Sequence, residues 1–362
     1  MSFSVPTSDG KRYLYGVIEK DITDIGLQQH LAEISRDSID LFLLGDGTLR
    51  LACIHGTTLV NHARLSHDLR TTEAVLLGEA LLATALCGTS LKENEAISML
   101  LESDGPCGGF VTEVNTAGHL RGYLRSGVAV TGAVVTGPPA PGATAAAPAD
   151  LLGAGSLDAV RSDRDRSHVS RGHVEWLHGP IAWNLERYFE SSEQTTTSIH
   201  ISTHRDGEGR ILGAGALLLQ RMPGGSSADY QTVRRMMPAP GTLAQRFSLG
   251  QTPTEIVREV FRPWDPRLVS TRNAEFFCPC SRERFARFLG ALPLEEIRDI
   301  LDSGPFPLVT TCHNCSSEYA FSEPELRDIF GTADPADPTG PADPTAPADP
   351  TDPTDQGNTF TS

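Results

Sequence analysis

The sequence lacks the segments that would direct a chain into or across a membrane. Its first residues, MSFSVPTSDGKRYLY, contain no cationic stretch followed by an apolar one, so we expect no secretory signal. The longest apolar run, at 73–88, is short for a membrane span and carries Glu79. These absences predict a cytoplasmic protein without a membrane partner, in a compartment where glutathione and thioredoxin keep thiols reduced.

Positive charge is also scarce. The chain has 30 Lys and Arg against 46 Asp and Glu, and its formal net charge is −16. Such a balance opposes nonspecific binding to nucleic acid or anionic lipid. The stretch at 161–171 is locally basic but mixes both signs, and it therefore predicts a solvated loop. We accordingly expect no nucleic-acid partner.

A convincing catalytic constellation is absent as well. His55, His62 and His67 lie close together in sequence, but no pattern of Cys or carboxylate joins them into a metal site. Gly213 and Gly215 are followed by neither a third glycine nor a predicted helix, so they are weak evidence for a nucleotide loop. The sequence therefore predicts a protein that is not an enzyme.

What is present predicts an α+β fold. A helix is expected at 72–87, with Gly88 as its C′ residue, and because it is apolar nearly all round it should be buried between layers. Long antiparallel strands beside segregated helices are typical of α+β domains. The strands and helices expected in the first part of the chain include strands at 13–19, 41–45, 96–105, 108–124, 195–203 and 211–225 and helices at 25–34 and 181–194.

Changes in composition divide the chain into four regions. We predict an α+β core at 1–225, a helical linker at 226–275, a small cysteine module at 276–330 and a tail at 331–362. In the tail proline recurs every third residue without any basic residue, which predicts an extended, disordered, acidic segment. Within the core, the proline- and alanine-rich stretch 137–155 predicts a flexible surface excursion.

Seven cysteines need an explanation in a chain expected to stay reduced. Cys53, Cys87 and Cys107 are scattered among apolar or glycine-rich neighbours, and each is interpreted as a small buried hydrophobic residue. The other four fall within residues 278–315 as C-x-C, then 31 residues, then C-x-x-C. That clustering requires a chemical cause.

Two close pairs on separate turns can place four thiolates at the corners of a tetrahedron around zinc, with Zn–S bonds of about 2.3 Å. Cys278, Cys280, Cys312 and Cys315 are therefore predicted to bind one Zn²⁺ per chain. His313 lies inside the second pair and could replace a thiolate, but four cysteines already complete the shell. The C-x-C pair, however, is less common than C-x-x-C in purely structural zinc sites.

The chain around these cysteines is too short to build its own core. Helices are expected at 281–289, with Ser281 as N-cap, and at 293–301 and 322–330, with a strand at 316–321. Metal binding supplies roughly 10–16 kcal/mol of folding free energy to such units. The module should therefore be folded with zinc and largely unfolded without it.

The same chemistry makes the site sensitive to oxidants. Cysteines two apart, such as Cys278 and Cys280, can reach one metal and can also form a small, strained disulfide ring. Zinc keeps its sulfur ligands as thiolates, the form that peroxide or hypochlorous acid attacks. Oxidation would remove ligands, release the metal and unfold a unit that depends on it.

Together these motifs resemble the family of redox-regulated chaperones called heat shock protein 33, or 33 kDa chaperonin. The resemblance covers about 11–330. It rests on the cysteine pattern with CSRER after the first pair and YAF after the second, and on LLGEALLATAL, SDGPCGG, LRGYL, YFESSEQ and GALLLQRMPGG. It implies an α+β core, a helical linker and a C-terminal zinc module.

The resemblance also implies a function. Oxidation would form the disulfides Cys278–Cys280 and Cys312–Cys315 with loss of zinc, and the linker would then unfold and expose a surface that holds unfolding client proteins without ATP. The oxidised form would be a homodimer. The stretch 137–155 and the acidic tail depart from the family, and Cys107 stands where no thiol is expected, which leaves additional disulfides open.

Two other classes of function remain open at this point. A four-cysteine zinc module could bind nucleic acid or a ribosomal or transcription partner, although the overall charge disfavours it. A thiol-disulfide oxidoreductase could use Cys312 and Cys315 as its redox pair, with His313 lowering a thiol pKa. That motif usually opens a helix, whereas here it precedes a predicted strand.

Overall fold

The computed structural model describes residues 11–14, 17–125, 148–163, 168–239 and 241–332. The acidic tail lies outside these residues apart from its first two positions, which end the last helix. Most of the stretch 137–155 lies outside them as well.

Strands and helices alternate along the described chain. The strands are Lys11–Leu14 (β1), Val17–Lys20 (β2), Ser38–Leu44 (β3), Leu49–His55 (β4), Glu95–Ser103 (β5), Gly109–Asn115 (β6), His119–Leu124 (β7), Gly155–Asp163 (β8), Val169–Trp176 (β9), Thr197–Arg205 (β10), Ile211–Arg221 (β11), Arg267–Asn273 (β12), Glu275–Phe276 (β13), Leu308–Thr311 (β14) and Glu318–Phe321 (β15). The helices are Ile25–Glu33 (α1), Thr57–Ser66 (α2), Thr71–Gly88 (α3), Pro148–Leu152 (α4), Ile181–Ser191 (α5), Ser227–Met236 (α6), Thr242–Ser248 (α7), Pro253–Val260 (α8), Arg282–Gly290 (α9), Leu294–Ser303 (α10) and Glu323–Thr332 (α11).

Two large sheets form the body of the protein. One has six strands in the order β13-β7-β6-β5-β8-β9, and the other has five in the order β10-β11-β4-β3-β12. Neighbouring strands are antiparallel except for the short pair β13 and β7, which is parallel. The hairpins β1–β2 and β14–β15 stand apart from these sheets. The predicted α+β fold class is confirmed.

Helix α3 forms the centre of the core, as its sequence predicted. It contacts β5, β6 and β7 of one sheet and β4, β10 and β11 of the other, so it lies between them. By length and composition α3 could span a membrane, but 78% of its apolar window is buried inside the protein, as in a core helix. Gly78 permits close packing on α2, since a Cβ there would lie 2.7 Å from Val60 Cγ1.

The structure corrects several local predictions. Gly88 is the last helical residue of α3 rather than its C′ residue, and Thr89 follows as C-cap with its hydroxyl donating to Leu86 O. The single strand expected at 13–19 is instead parts of β1 and β2. The solvated loop expected at 161–171 belongs largely to the paired strands β8 and β9, whose other residues bury one face.

The end of the predicted excursion 137–155 is ordered. Helix α4 is followed directly by β8, and Leu152 is fully buried. Cys107 N–H donates to Leu151 O at 3.0 Å, and Gly105 N–H donates to Leu152 O at 3.0 Å. Residues 148–155 therefore pack onto the loop that joins β5 and β6.

The segment predicted as a helical linker covers the five-stranded sheet. Helices α6, α7 and α8 pack on the face opposite α3, and β12 continues the sheet by pairing with β3. The sheet contributes Phe42, Leu44, Leu49, Leu51, Cys53, Leu217 and Leu219 to this layer, and the helices and the turn after them contribute Tyr230, Val233, Met237, Leu243, Phe247, Ile256, Val257 and Phe261. Only Ala274 separates β12 from β13, so the segment ends on the other sheet.

Candidate metal centre

The first cysteine pair is held against the core by backbone hydrogen bonds. Glu275 N–H donates to Gly118 O at 3.0 Å, and Phe277 N–H donates to Leu120 O at 2.8 Å. This short parallel pairing with β7 fixes the chain just before Cys278. After Cys280 the chain enters α9, and Ser281 caps it by accepting from the backbone N–H of Arg284, as predicted.

The second pair lies in the tight turn between β14 and β15. Cys312 O accepts from Ser316 N–H at 2.7 Å and from Cys315 N–H at 3.3 Å, while Cys312 N–H donates to Ser317 O at 2.8 Å. Ser316 takes a left-handed backbone conformation, with φ of 55°, which turns the chain back toward β15. The turn brings both thiols to one side of the hairpin.

The four predicted ligands meet in one buried cluster. Their sulfur atoms all lie within 4.8 Å of one another, with Cys278 Sγ 3.7 Å from Cys312 Sγ and Cys280 Sγ 3.3 Å from Cys315 Sγ. A tetrahedron with bonds of about 2.3 Å has edges of about 3.8 Å, so the sulfurs fit a tetrahedral metal ion. The cluster is therefore positioned to bind a metal through four thiolates.

Other candidate groups lie outside this cluster. The His313 ring packs edge-on against Tyr123, with centroids 5.6 Å apart, and is not part of the set of four sulfurs. Cys53 and Cys87 are buried, as predicted, whereas Cys107 is half-buried. All seven cysteines lie in the described residues, and none forms a disulfide there.

Three polar side chains surround the sulfurs. Tyr319 Oη donates to Cys280 Sγ at 3.1 Å, and Cys315 Sγ lies 3.2 Å from Ser317 Oγ. Arg121 Nη1 donates to Cys278 Sγ at 3.8 Å. Hydrogen bonds from the other three thiols, Cys280 foremost, lower the pKa of Cys278, and the charge of Arg121 lowers it further. Hydrogen bonds with Cys278 foremost, and with Cys280, raise the pKa of Cys312 and Cys315, so the negative charge of the metal-free cluster is concentrated on the first pair.

The metal-binding turn also contacts the core. His67, at the end of α2, lies with Nδ1 2.8 Å from Ser316 Oγ and Nε2 3.2 Å from Asn314 O. Burial lowers the pKa of His67, which favours the neutral ring. The His119 ring packs on Phe277, with centroids 4.4 Å apart. The cluster therefore lies where the C-terminal module meets the core.

Two core residues at this contact have no signal in the sequence. Arg121 lies in the LRGYL motif of β7, and no pattern of Cys or carboxylate in the sequence joins His67 to a metal site. No local pattern marks either residue, since Arg121 and Cys278 are 157 positions apart. The alternative of a thiol-disulfide oxidoreductase is disfavoured, because the thiols of Cys312 and Cys315 are buried in the turn between two strands rather than at the start of a helix.

This chain is similar in sequence to known proteins along most of its length. The family model described as Hsp33 protein matches residues 37–322. The 33 kDa chaperonin of Bacillus velezensis is 27% identical over 284 residues, covering 78% of this chain and 94% of that protein. The 33 kDa chaperonin of Symbiobacterium thermophilum is 29% identical over 284 residues, covering 78% and 93%.

A solved structure has the same fold. The crystal structure of the 33 kDa chaperonin from Thermotoga maritima superposes with a TM-score of 0.68 at 23% identity, covering 82% of this chain and 98% of that chain. The overall fold of this chain is thus found in another protein.

Proposed function

Because this chain belongs to the Hsp33 protein family, which is a family of chaperones, we propose that it is a redox-regulated, ATP-independent holdase. It would bind unfolding proteins and prevent their aggregation under oxidative stress. The observation that carries the redox part is the buried cluster of four thiols at the contact between the module and the core. Its expected location is the cytoplasm, where such thiols stay reduced in the absence of stress.

Zinc is the metal that this donor set fits best. Four cysteine ligands in a closed tetrahedral shell are typical of structural zinc sites, and they leave no open position for a substrate. One Zn²⁺ per chain would be held by Cys278, Cys280, Cys312 and Cys315. When bound, the metal keeps all four sulfurs deprotonated and supplies folding free energy to the module.

Oxidation is proposed to remove this restraint. Disulfides Cys278–Cys280 and Cys312–Cys315 would each join the two cysteines of one motif and leave no sulfur free to bind the metal. The module would then unfold, and with it the pairing of β13 with β7. Since β13 follows β12 after a single residue, the end of the helical linker would lose its anchor on the six-stranded sheet.

The surface proposed to bind clients is the face of the five-stranded sheet beneath α6, α7 and α8. Six of its side chains, all fully buried by the helices, are large and apolar: Phe42, Leu44, Leu49, Leu51, Leu217 and Leu219. Contiguous exposed apolar patches of several hundred Å² bind other proteins or aggregate. Release of the linker helices would create such a patch, suited to unfolded chains and to a second copy in an oxidised homodimer.

One experiment tests the proposal in a single sample. Bound zinc and light scattering of a thermally unfolding client are measured before and after treatment with peroxide and mild heat. Reduced protein should hold one zinc and leave scattering high, while oxidised protein should lose zinc and suppress scattering. Restoring thiols with dithiothreitol and adding zinc should reverse both changes. Unchanged scattering with fully oxidised, zinc-free protein would contradict the proposal.

A further inference from the structure

The core contributes one buried cation to the sulfur cluster. Arg121 lies on β7 and is 6% exposed. Its Nη1 donates to Cys278 Sγ at 3.8 Å, and its Nη2 lies 3.2 and 3.3 Å from the two carboxylate oxygens of Glu113 on β6. The guanidinium therefore bridges a sulfur of the module and a carboxylate of the core.

The position of Arg121 along β7 ties it to module docking. The preceding residue, Leu120, accepts the hydrogen bond from Phe277 N–H that anchors the chain before Cys278. One strand thus provides the backbone contact to Phe277 and the charged contact to the next residue, Cys278. A change at the Cys278 sulfur therefore acts directly on the docking strand through Arg121.

The charge that faces Arg121 changes with the redox state. Zinc with four thiolates carries a net charge of about −2. With hydrogen peroxide as oxidant, four thiolates give up four electrons to form two S–S bonds, and two peroxide molecules take up these electrons with four protons to give four water molecules. The zinc ion leaves, and the sulfurs become neutral. Arginine keeps its positive charge throughout.

We propose that Arg121 is the positioning residue through which the negative sulfur cluster holds the module on the core. The inference rests on the proposed function, since it requires the metal-bound thiolates and their oxidation. In the reduced state the guanidinium has an anionic partner on each side. After oxidation only Glu113 remains as its partner, so the attraction between β7 and the module is lost together with the metal.

The test compares three variants of the full chain in the reduced, zinc-loaded state. Arg121→Met removes the charge and keeps much of the side-chain length. Arg121→Lys keeps the charge and loses the planar guanidinium. Arg125→Met is the control, because it removes a neighbouring cation that pairs with Glu102 rather than with the cysteine cluster. Zinc release to a competing chelator and amide hydrogen exchange at 275–277 are measured, and circular dichroism confirms that each variant is folded.

Arg121→Met is expected to bind zinc about 10–100-fold more weakly than the wild type, the usual effect of removing a side chain that supports a metal ligand, and therefore to release zinc faster to the chelator. Exchange at 275–277 should accelerate with it. Zinc release from Arg121→Lys should be much closer to that of the wild type. Zinc release from Arg125→Met should equal that of the wild type. The inference is overturned if Arg121→Met behaves like Arg125→Met, or if Arg121→Lys is as fast as Arg121→Met, because packing rather than charge would then be responsible.

These outcomes are separate from a failure of the proposed function. If the wild type binds zinc but does not suppress client aggregation after oxidation, the holdase proposal fails, while the comparison of zinc release still decides the role of Arg121. If the wild type binds no zinc, both proposals fail.

Discussion

The core and the C-terminal module of this chain are stabilised in different ways. In the core, α3 is buried on nearly all sides between two sheets, and side chains such as Leu76, Leu77 and Leu81 are fully buried. In the module, large apolar side chains remain partly exposed, among them Phe288 and Leu294, and the buried interior is built largely around four sulfurs. Apolar burial stabilises the first, whereas the second is proposed to depend on a bound metal.

The helices between these two regions are stabilised both by apolar burial and by their connection to the module. They bury a full apolar layer against the five-stranded sheet, yet the strand that follows them is anchored by the module. We therefore expect this region to loosen when its far end is released. The contrast between core and module can be tested at each level, beginning with the largest effect.

Removing a ligand should have the largest effect and should be confined to the module. Cys312→Ser is expected to abolish tight zinc binding, because the binding free energy of about 10–16 kcal/mol is what folds such a unit. Metal analysis after chelator treatment should show loss of zinc, and hydrogen exchange should show lost protection across 276–332. Cys107→Ser is the matched control, since its thiol lies outside the cluster. Retained zinc and protection in Cys312→Ser would contradict the metal-dependent module.

A substitution in the linker layer should release it without oxidation. Phe247 on α7 is fully buried and stacks on His55, with ring centroids 4.4 Å apart. Phe247→Ala is expected to cost about 3–5 kcal/mol, and the variant should expose the sheet and suppress client aggregation while still holding zinc. Leu249→Ala, at the exposed end of the same helix, is the control. An inactive, fully protected Phe247→Ala protein would show that the layer does not depend on this contact.

A cavity in the core should lower its stability and leave metal binding intact. Leu81→Ala in α3 is expected to cost about 2–5 kcal/mol of unfolding free energy, measured by urea denaturation. Leu294→Ala in the module, whose side chain is 65% exposed, should change that free energy by less than about 0.5 kcal/mol. Parallel loss of zinc in Leu81→Ala would mean that the two regions are not stabilised separately.

The smallest effect concerns a buried polar contact at the edge of the core. Asp37 accepts hydrogen bonds from the backbone N–H groups of Thr58 and Leu59, and one of its carboxylate oxygens lies 3.9 Å from His55 Nδ1. Burial raises the pKa of Asp37 to about 7 and lowers that of His55 to about 4. The stability from Asp37 is full below its unfolded pKa of about 3.9 and is lost as the pH rises through about 7. The stability from His55 is lost as the pH falls from about 6.5 toward 4.

Between about pH 4 and 6.5, a rise in pH lowers the stability through Asp37 and raises it through His55. Asp37→Asn keeps a hydrogen-bond acceptor for the start of α2 but removes the pH dependence that comes from Asp37. The variant should therefore lose up to about 3 kcal/mol of stability as the pH falls across this range, while the wild type changes less. Urea unfolding at several pH values measures both slopes. Identical slopes would show that Asp37 does not titrate with the raised pKa.

Much of the fold was predictable because its signals are local. Helix α3 follows from the periodicity of its apolar side chains, and the Ser281 cap follows from hydrogen bonding within a few residues. The four-cysteine cluster was predictable for a similar reason, since each of its two pairs needs only a short spacing. The strand expected at 108–124 is instead two strands, β6 and β7. The predictions failed for 13–19 and 161–171, where strand pairing outweighed local composition.

The sequence by itself therefore determined that four thiols would gather near the C-terminus, that α3 would lie buried in the core, and that the fold would be α+β. Only the tertiary structure decided what the thiol cluster touches. The pairing of β13 with β7, the buried Arg121 beside Cys278, and His67 against the metal-binding turn join residues more than 150 positions apart. Such contacts leave no periodic pattern in the sequence, because they depend on how complete elements pack together rather than on the spacing of neighbouring residues.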